Sequence, residues 1–345
     1  MKKLIFKTLI TFFLISPYTS HSNDNKPIII NATTNRNETN IGDYWLATDL
    51  EIALNELGYK TQTNYRGEYQ NSQNIIPLLS IYMRGYTKFY PPFDKGYNIL
   101  YLYYPMSYSK ISKNKILKQK LNSRSPQPIN ANLDDDFQNY DLIATASPSY
   151  AKKLQENGIN AIYTPQYTNP NKFYPNPDEK LKTDILFVGS NWHDRTSLRY
   201  AIESGFNVSV YGYNWQGIVP QEMYKASYIS NTDLNRYYSS AKIVLNDHRP
   251  DMKKHGFINN RIYDATACGT LVISDYMPEI EKVYKNSIPM YKNKEDLKLL
   301  LDYYLTHEEE RQKLAKIAQE ITLKNFTHKA VAQKIINYTK KSLEK

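Results

Sequence analysis

The sequence predicts an α/β protein built as two Rossmann-like domains facing across a cleft. Three observations predict it. Apolar runs of strand length alternate with helix-period segments along the chain. Several of those runs are continuous rather than alternating, as parallel strands covered on both faces require. Midway, a Pro- and Asn-rich stretch interrupts the pattern, after which it restarts.

The elements follow in order. Lys2 and Lys3 precede a mostly apolar run from Leu4 to Ile15, then Pro17 and the small residues Ser20 and Ser22. This is the pattern of an export signal over about residues 1–25 with a plausible cleavage site before Asn23; a disordered or core-packing extension is the competing reading. The run is too short for a bilayer span, which takes about 20 residues. Pro27 to Ala32 reads as the first buried strand. Ile41-Gly42-Asp43 opens a helix with Leu46, Leu50, Ala53, Leu54 and Leu57 on one face, ended by Gly58. Lys60 to Thr63 returns as a strand, completing a βαβ unit in which Gly42 lets backbone approach a ligand. Asn64 to Tyr97 shows no clear element.

Asn98 to Tyr103 and Asp141 to Ala146 are strands, separated by a basic Ser/Asn-rich segment from Lys110 to Asn132 read as a helix and a loop. Asp134-Asp135-Asp136 resembles a metal cluster, but adjacent acids on a loop are read as solvated, and no metal site is expected. Ser147-Pro148-Ser149 caps a helix that stops at Gly158, and Asn160 to Thr164 is a strand. The linker composition runs from Pro165 to Pro177. Beyond it come a strand at Asp184 to Val188, a helix at Arg195 to Glu203, a strand at Asn207 to Tyr211, and a helix at Thr232 to Ser240. The chain closes with a strand at Ile288 to Tyr291 and helices at Lys294 to Leu305, Glu308 to Lys324 and His328 to Ser342.

A net charge of +10, from 44 Lys+Arg against 34 Asp+Glu, favours an anionic partner. The basic residues are scattered and no helix-turn-helix or zinc-finger spacing is present, so no nucleic-acid partner is expected. A phosphorylated small molecule and a peripheral membrane surface remain. The 32 tyrosines against 11 phenylalanines suit carbohydrate contact and equally reflect coding bias. Cys268 is the sole cysteine, which rules out an intrachain disulfide and a thiolate zinc site.

The most informative stretch runs from Asn246 to Gly269. An apolar strand ends at Asn246, a polar loop carries His248, His255, Gly256 and Phe257, and a helix begins at Arg261 with Asn260 as its cap. Gly269 then supplies the left-handed residue before the strand Thr270 to Ser274. A strand, a loop and a helix N-terminus form the usual phosphate cradle of α/β proteins. Arg261 adds a fork able to grip a diphosphate, and Asp264, one turn on, can accept from ribose or sugar hydroxyls. Gly189-Ser190, with His193 and Arg195 after them, occupy the corresponding place beyond the first strand of this half. No G-x-G-x-x-G fingerprint occurs, so no nicotinamide cofactor is expected.

These residues resemble the CgeB-like group of family 1 glycosyltransferases, which have the GT-B fold. The likeness rests on Ile185-Leu186-Phe187-Val188-Gly189, on Val210-Tyr211-Gly212 with Trp215-Gln216-Gly217 and Pro220, and on Val244 to His248. It continues through Asp251-Met252, Gly256-Phe257, Asn260-Arg261, Asp264-Ala265, Cys268-Gly269 and Ile273-Ser274-Asp275. In the first half it rests on Gly42-Asp43, Ala146 to Tyr150 and Pro165-Gln166 with Asn169-Pro170, and near the end on Phe326-Thr327-His328.

The resemblance implies a transferase that takes a nucleotide-sugar donor in the second domain and a carbohydrate or glycoconjugate acceptor in the first. It implies no cofactor and no metal, protein cations and helix dipoles neutralising the departing diphosphate. Domains at 26–165 and 184–325, a hinge at 166–183 and a crossing helix at 326–345 follow. Donor contacts are implied for Gly189, Ser190, Arg195, Asn246, Gly256, Phe257, Asn260, Arg261, Asp264 and, across the cleft, Gly42. Asp264 stands where many relatives carry a ribose-binding glutamate. The upstream glutamate of many retaining members is absent, His255-Gly256 lying near its place, and the family's His-Pro in the first half is Tyr104-Pro105 here. Asp43 is the candidate base for the acceptor hydroxyl and His248 a further catalytic candidate, with a capping carboxylate and a loop-holding histidine as the respective structural readings. Trp215 is a candidate platform for base or sugar, with packing against a loop as the alternative. An exported non-catalytic sugar or nucleotide binder is the rival to the enzyme, and a cytoplasmic or membrane-associated location the rival to export.

Overall fold

In the computed structural model the described residues are 26–84, 96–105, 137 and 140–344. Residues 1–25, read from the sequence as an export signal, the segment from Lys110 to Asn132 and the acidic run at Asp134 to Asp136 lie outside them. The first domain runs β1 (Ile28–Asn31), α1 (Gly42–Glu56), β2 (Thr61–Asn64), β3 (Leu79–Arg84), β4 (Tyr97–Leu102), β5 (Leu142–Thr145), α2 (Pro148–Glu156) and β6 (Ala161–Tyr163). Its strands form one parallel sheet in the order β2-β1-β3-β4-β5-β6. β3 falls where the sequence showed no element. All six of its residues are buried, but Ser80, Tyr82 and Arg84 break the apolar run that announces a covered strand.

The second domain runs β7 (Thr183–Val188), α3 (Thr196–Glu203), β8 (Ser209–Tyr211), β9 (Tyr224–Ala226), α4 (Leu234–Ser239) and β10 (Ala241–Asn246). It continues with α5 (Pro250–His255), α6 (Asn260–Ala267), β11 (Leu271–Asp275), α7 (Pro278–Tyr284), β12 (Met290–Tyr291), α8 (Lys294–Thr306) and α9 (Glu308–Asn325). The sheet is again parallel, ordered β12-β11-β10-β7-β8-β9. β9, α5 and α7 are additions to the expected elements; each is short, and α5 lies inside what reads as polar loop.

Strand order reverses between β1 and β3 in one sheet and between β7 and β10 in the other. The crevice beyond the carboxyl ends at such a reversal is where open α/β sheets bind ligands. Gly42 and Asp43 follow β1; Gly189 follows β7 and Asp247 follows β10. The two sequence-singled loops of the second domain thus meet at its switch point, opposite their counterpart in the first.

The chain crosses between domains twice, and the crossings lie side by side. Thr168 N–H donates to Phe326 O at 2.9 Å and His328 N–H to Thr168 O at 2.8 Å. The final helix, α10 (His328–Leu343), is capped by Thr327 Oγ1, which accepts from Ala330 N–H at 3.1 Å. It lays Val331, Ala332, Ile335 and Ile336 into the first domain's core against α1. Among the described residues no helix is long and apolar enough to cross a membrane.

A second tie lies at α5. Pro250 starts this helix and Gly256, left-handed at φ 71°, ends it. The turn drops Met252 and Phe257 into the first domain's core, with Phe257 edge-on to Tyr150 at 5.5 Å. Ser147 Oγ donates to His255 O at 2.6 Å, Ser149 Oγ to Glu279 Oε1 at 2.8 Å, and Tyr104 OH to Asp251 Oδ2 at 2.9 Å. This latch packs the domains together through two buried side chains and these hydrogen bonds.

Candidate functional site

Gly189 is the pivot of the second domain's switch point. Its N–H donates to Tyr211 O at 2.8 Å, and its carbonyl accepts from Trp215 Nε1 at 2.6 Å. Trp215 itself is buried, edge-on to Phe187 at 5.9 Å, so its packing role is the one observed. A Cβ built on Gly189 would run into the guanidinium ends of both Arg195 and Arg261. The missing side chain is what lets two cations converge on one point.

Each arginine is held by a different route. Arg261, in the first turn of α6, donates Nε to Val188 O and Nη1 to Asn246 Oδ1, both at 2.8 Å. Asn246 is wholly buried and fixed by Ser274 Oγ at 2.9 Å, so its task is to aim Arg261. Arg195 pairs with Asp247 Oδ1 at 3.2 Å, and Asp247 Oδ2 accepts from Ser197 N–H and Oγ at 3.2 and 2.8 Å. Both guanidinium groups also lie over the Phe187 ring, at 5.1 and 5.3 Å. Burial, reinforced by the neighbouring Arg261, pulls the Arg195 pKa down to about 10. Two cations facing one another against a single buried carboxylate are a site short of negative charge. An anion held there gains from both forks at once.

Asp264 is buried one turn along α6. Its Oδ2 accepts from Asn260 Nδ2 at 2.7 Å, and burial drives its carboxyl well above the ordinary carboxylate range. The helix starts at Asn260, so Asn259 is the capping residue, and neither side chain caps. The expectation for Asn260 is corrected: its amide turns to Asp264, while Asn259 Nδ2 donates to Asp247 O at 2.8 Å. Ser190 Oγ accepts from Tyr213 N–H at 3.2 Å, fixing the turn beside Gly189.

Two cavities open between the domains and share Gly42, Leu46 and Asn260 as a common wall. The first, of about 360 Å³, sets Trp45 and Asp49 of α1 against Arg261 and Asp264 of α6. The second, of about 690 Å³, is lined by Asp43, Tyr103, Tyr104, Trp192, Arg249 and Asn259. Both are of ligand size. Gly42 adds nothing to the strain of its helix, and the place of its absent Cβ is open space.

Asp43 lies in the first turn of α1, accepts from Thr33 Oγ1 at 3.3 Å, and caps nothing. Burial raises its carboxyl pKa, against the opposing pull of Thr33, Tyr103 and Arg66. A carboxylate made more basic and set in a cavity wall is the disposition of a general base.

Three expectations are overturned. Like Gly189, Ser190, Arg195 and Asn246, Gly256 and Phe257 line neither cavity, but unlike them they are taken up at the domain junction: Gly256 closes α5 against Ser149 and Glu279, and Phe257 is buried under Tyr150. They join domains rather than hold phosphate. His248 also lines neither cavity; its side chain is buried and Nδ1 donates to Asp275 Oδ1 at 2.7 Å. Burial alone lifts the Asp275 carboxyl, and His248 with Lys253 reverse this and hold it low. His248 holds its loop. Sequence reasoning missed Trp45, Asp49, Tyr103 and Trp192, which no local pattern marks, and the anchoring role of Asp247. Among the described residues no group of three His, Cys, Asp or Glu is placed to hold a metal ion.

Comparison with known proteins bears on the family and the fold. The family model described as Glycosyl transferase-like matches residues 185–337. Spore protein CgeB of Bacillus subtilis (strain 168) is 28% identical over 214 residues, 56% of this chain and 67% of that one. Sucrose-phosphate synthase from Thermosynechococcus elongatus superposes with a TM-score of 0.65 at 12% identity, over 93% of this chain and 100% of its own. HepE of Anabaena, in complex with UDP-glucose, superposes at 0.57 and 8% identity, over 92% of this chain and 100% of its own.

Proposed function

We propose that this chain, which has the GT-B fold, matches a glycosyl transferase-like family model over residues 185–337 and resembles CgeB, is a glycosyltransferase that moves a sugar from a nucleoside-diphosphate donor to a hydroxyl of a carbohydrate or glycoconjugate acceptor. The convergence of Arg195 and Arg261 over Gly189 is the observation that carries this reading. Rupture of the sugar–phosphate bond leaves negative charge on the diphosphate. Two preset guanidinium groups stabilise it where it develops, the part a divalent metal plays elsewhere.

The smaller cavity takes the donor. Arg261, on the wall of this cavity, and Arg195, which converges with it over Gly189 behind that wall, hold the diphosphate, with Asn246 and Asp247 as their anchors, and Asp264 meets the ribose hydroxyls. The larger cavity takes the acceptor, whose hydroxyl faces Asp43; the carboxylate removes its proton as the bond to the sugar forms. Trp192, 69% exposed on that wall, offers a face for a sugar ring. The shared wall at Gly42 and Asn260 is where the two substrates meet. UDP-sugars are the first donors to try, since a structural neighbour holds UDP-glucose.

Nucleotide release from UDP-, GDP-, ADP- and CDP-sugars, comparing the native protein with Arg261→Ala, tests the reading. Release that the substitution abolishes supports it. No release from any donor, beside measurable sugar binding, leaves a non-catalytic binder. We propose in addition that residues 1–25 direct export; N-terminal sequencing of mature protein should begin at Asn23, and retained Met1 refutes cleavage.

A further inference from the structure

His193 sits between Gly189 and α3 and has no assigned part in the site. Its Nε2 lies 2.9 Å from Arg195 Nη1. A guanidinium N–H only donates, so Nε2 must be the acceptor, and the ring is neutral with its proton on Nδ1. That Nδ1–H is buried and has no partner. Three arginines act on the ring, Arg195, Arg249 and Arg261, against the carboxylate of Asp247. Asp194, its neighbour in the chain, is taken up by Arg199 at 3.0 Å. A neutral imidazole with an unused donor, set among cations that await an anion, is arranged to change state when the anion arrives.

We propose that His193 is a third ligand of the donor diphosphate and takes up a proton as the diphosphate binds. This deepens the donor site proposed above and rests on it. The physics runs in one direction. Without ligand, burial and the surrounding arginines oppose a charged ring and hold it neutral. A bound diphosphate brings about two negative charges, cancels that repulsion and favours the imidazolium. Protonation places N–H on both nitrogens, so Nε2 can no longer accept from Arg195. The Arg195 Nη1–H that faced the histidine is thereby freed for phosphate while the pair with Asp247 remains, and an imidazolium N–H donates to the same anion. The proton comes from solvent, and no covalent bond changes.

Linkage fixes the sign. The bound state carries more protons than the free state, so affinity rises as pH falls from the bound to the free pKa of the ring, by up to about tenfold per unit for one proton. Calorimetry with UDP, GDP, ADP and CDP identifies the tightest-binding diphosphate. Its binding is then measured across pH and in buffers of different ionisation enthalpy, for the native protein and for His193→Gln. Glutamine keeps an acceptor for Arg195 and a donor for phosphate but does not titrate. The ligand's own titration is common to both proteins and cancels in the difference. The expected result is proton uptake in the native protein that His193→Gln lacks, with the variant's affinity about 3–10-fold lower at acidic pH and converging on the native value at alkaline pH. Equal uptake in both proteins overturns the proposal and leaves the donor site standing. Binding of none of the four diphosphates overturns both. His193→Ala serves as the second variant: loss of affinity there with an unchanged pH profile assigns a purely structural part.

Discussion

The two switch points of this molecule face one another across a cleft and are finished to different degrees. In the second domain both converging arginines are held in place: Arg261 by Asn246 and Val188 O, Arg195 by Asp247, Asp247 in turn by Ser197. In the first domain Asp43 has a long bond from Thr33 and a cavity wall of tyrosines and Trp192 around it. A diphosphate is the same in every donor, so a rigid cradle costs nothing in generality and avoids reorganisation when charge develops. An acceptor hydroxyl has to be met by a group free to take its proton. The difference assigns charge stabilisation to one domain and proton transfer to the other, and the two roles separate on substitution.

The largest expected effect is at Asp43. Asp43→Asn is isosteric and removes the base, so kcat should fall about 10²–10⁴-fold with the donor's KM nearly unchanged. The native pH–rate profile should show an acidic limb above the ordinary aspartate range, because burial raises this carboxyl and only its ionised form accepts the proton. The variant should lose that limb. Asp43 also gives the opposite dependence in stability. A folded-state pKa above the unfolded one stabilises the fold at low pH, and that contribution is lost as pH rises through the folded value.

Arg261→Ala comes next, with kcat/KM for donor down about 10²–10³-fold. It also leaves Asn246 Oδ1 and Val188 O without this donor, a further cost of about 1–3 kcal/mol in stability. Arg261→Lys should recover little, since an ammonium cannot serve both acceptors and the phosphate as a fork does. A donor KM untouched by either change, beside intact activity, breaks the comparison. Gly189→Ala should be milder, raising the donor's KM about tenfold while the fold persists. The added methyl meets only the flexible ends of two arginines, and Gly189 needs no left-handed backbone.

The parts legible in the sequence are those written in neighbouring residues. The run from Val244 through Arg261 to Gly269 carries strand, helix and left-handed glycine in one stretch, and the structure repeats it with the helix start shifted by one residue. Asn246, expected as a donor contact, is buried and bonds Arg261 instead, since strand end and helix start are joined by one loop. What failed depends on partners distant in the chain. Phe257 looks like a donor contact until Tyr150 is known to cover it. His248 looks catalytic until Asp275 is seen to hold it. β3 escaped because its polar residues are buried by tertiary packing, which no local hydropathy pattern records.

The latch supplies the smallest effect and the sharpest use of the comparison, because it connects the domains without lining either cavity at Ser147, Gly256 or Phe257. Ser147 Oγ has two tasks: it caps α2 by accepting from Tyr150 N–H at 3.0 Å, and it donates to His255 O at 2.6 Å. Ser147→Ala removes both and should cost about 1–2 kcal/mol, read by denaturant unfolding. Donor KM should move less than about threefold, since none of the groups at Gly189 is touched. The prediction discriminates between two places for the loop at Gly256. If it belongs to the latch, Ser147→Ala is a stability variant with ordinary kinetics. If it holds the diphosphate of the donor, as the sequence alone suggests, then loosening its anchor on α2 raises the donor's KM well beyond that limit, and the donor site has to be drawn to include it.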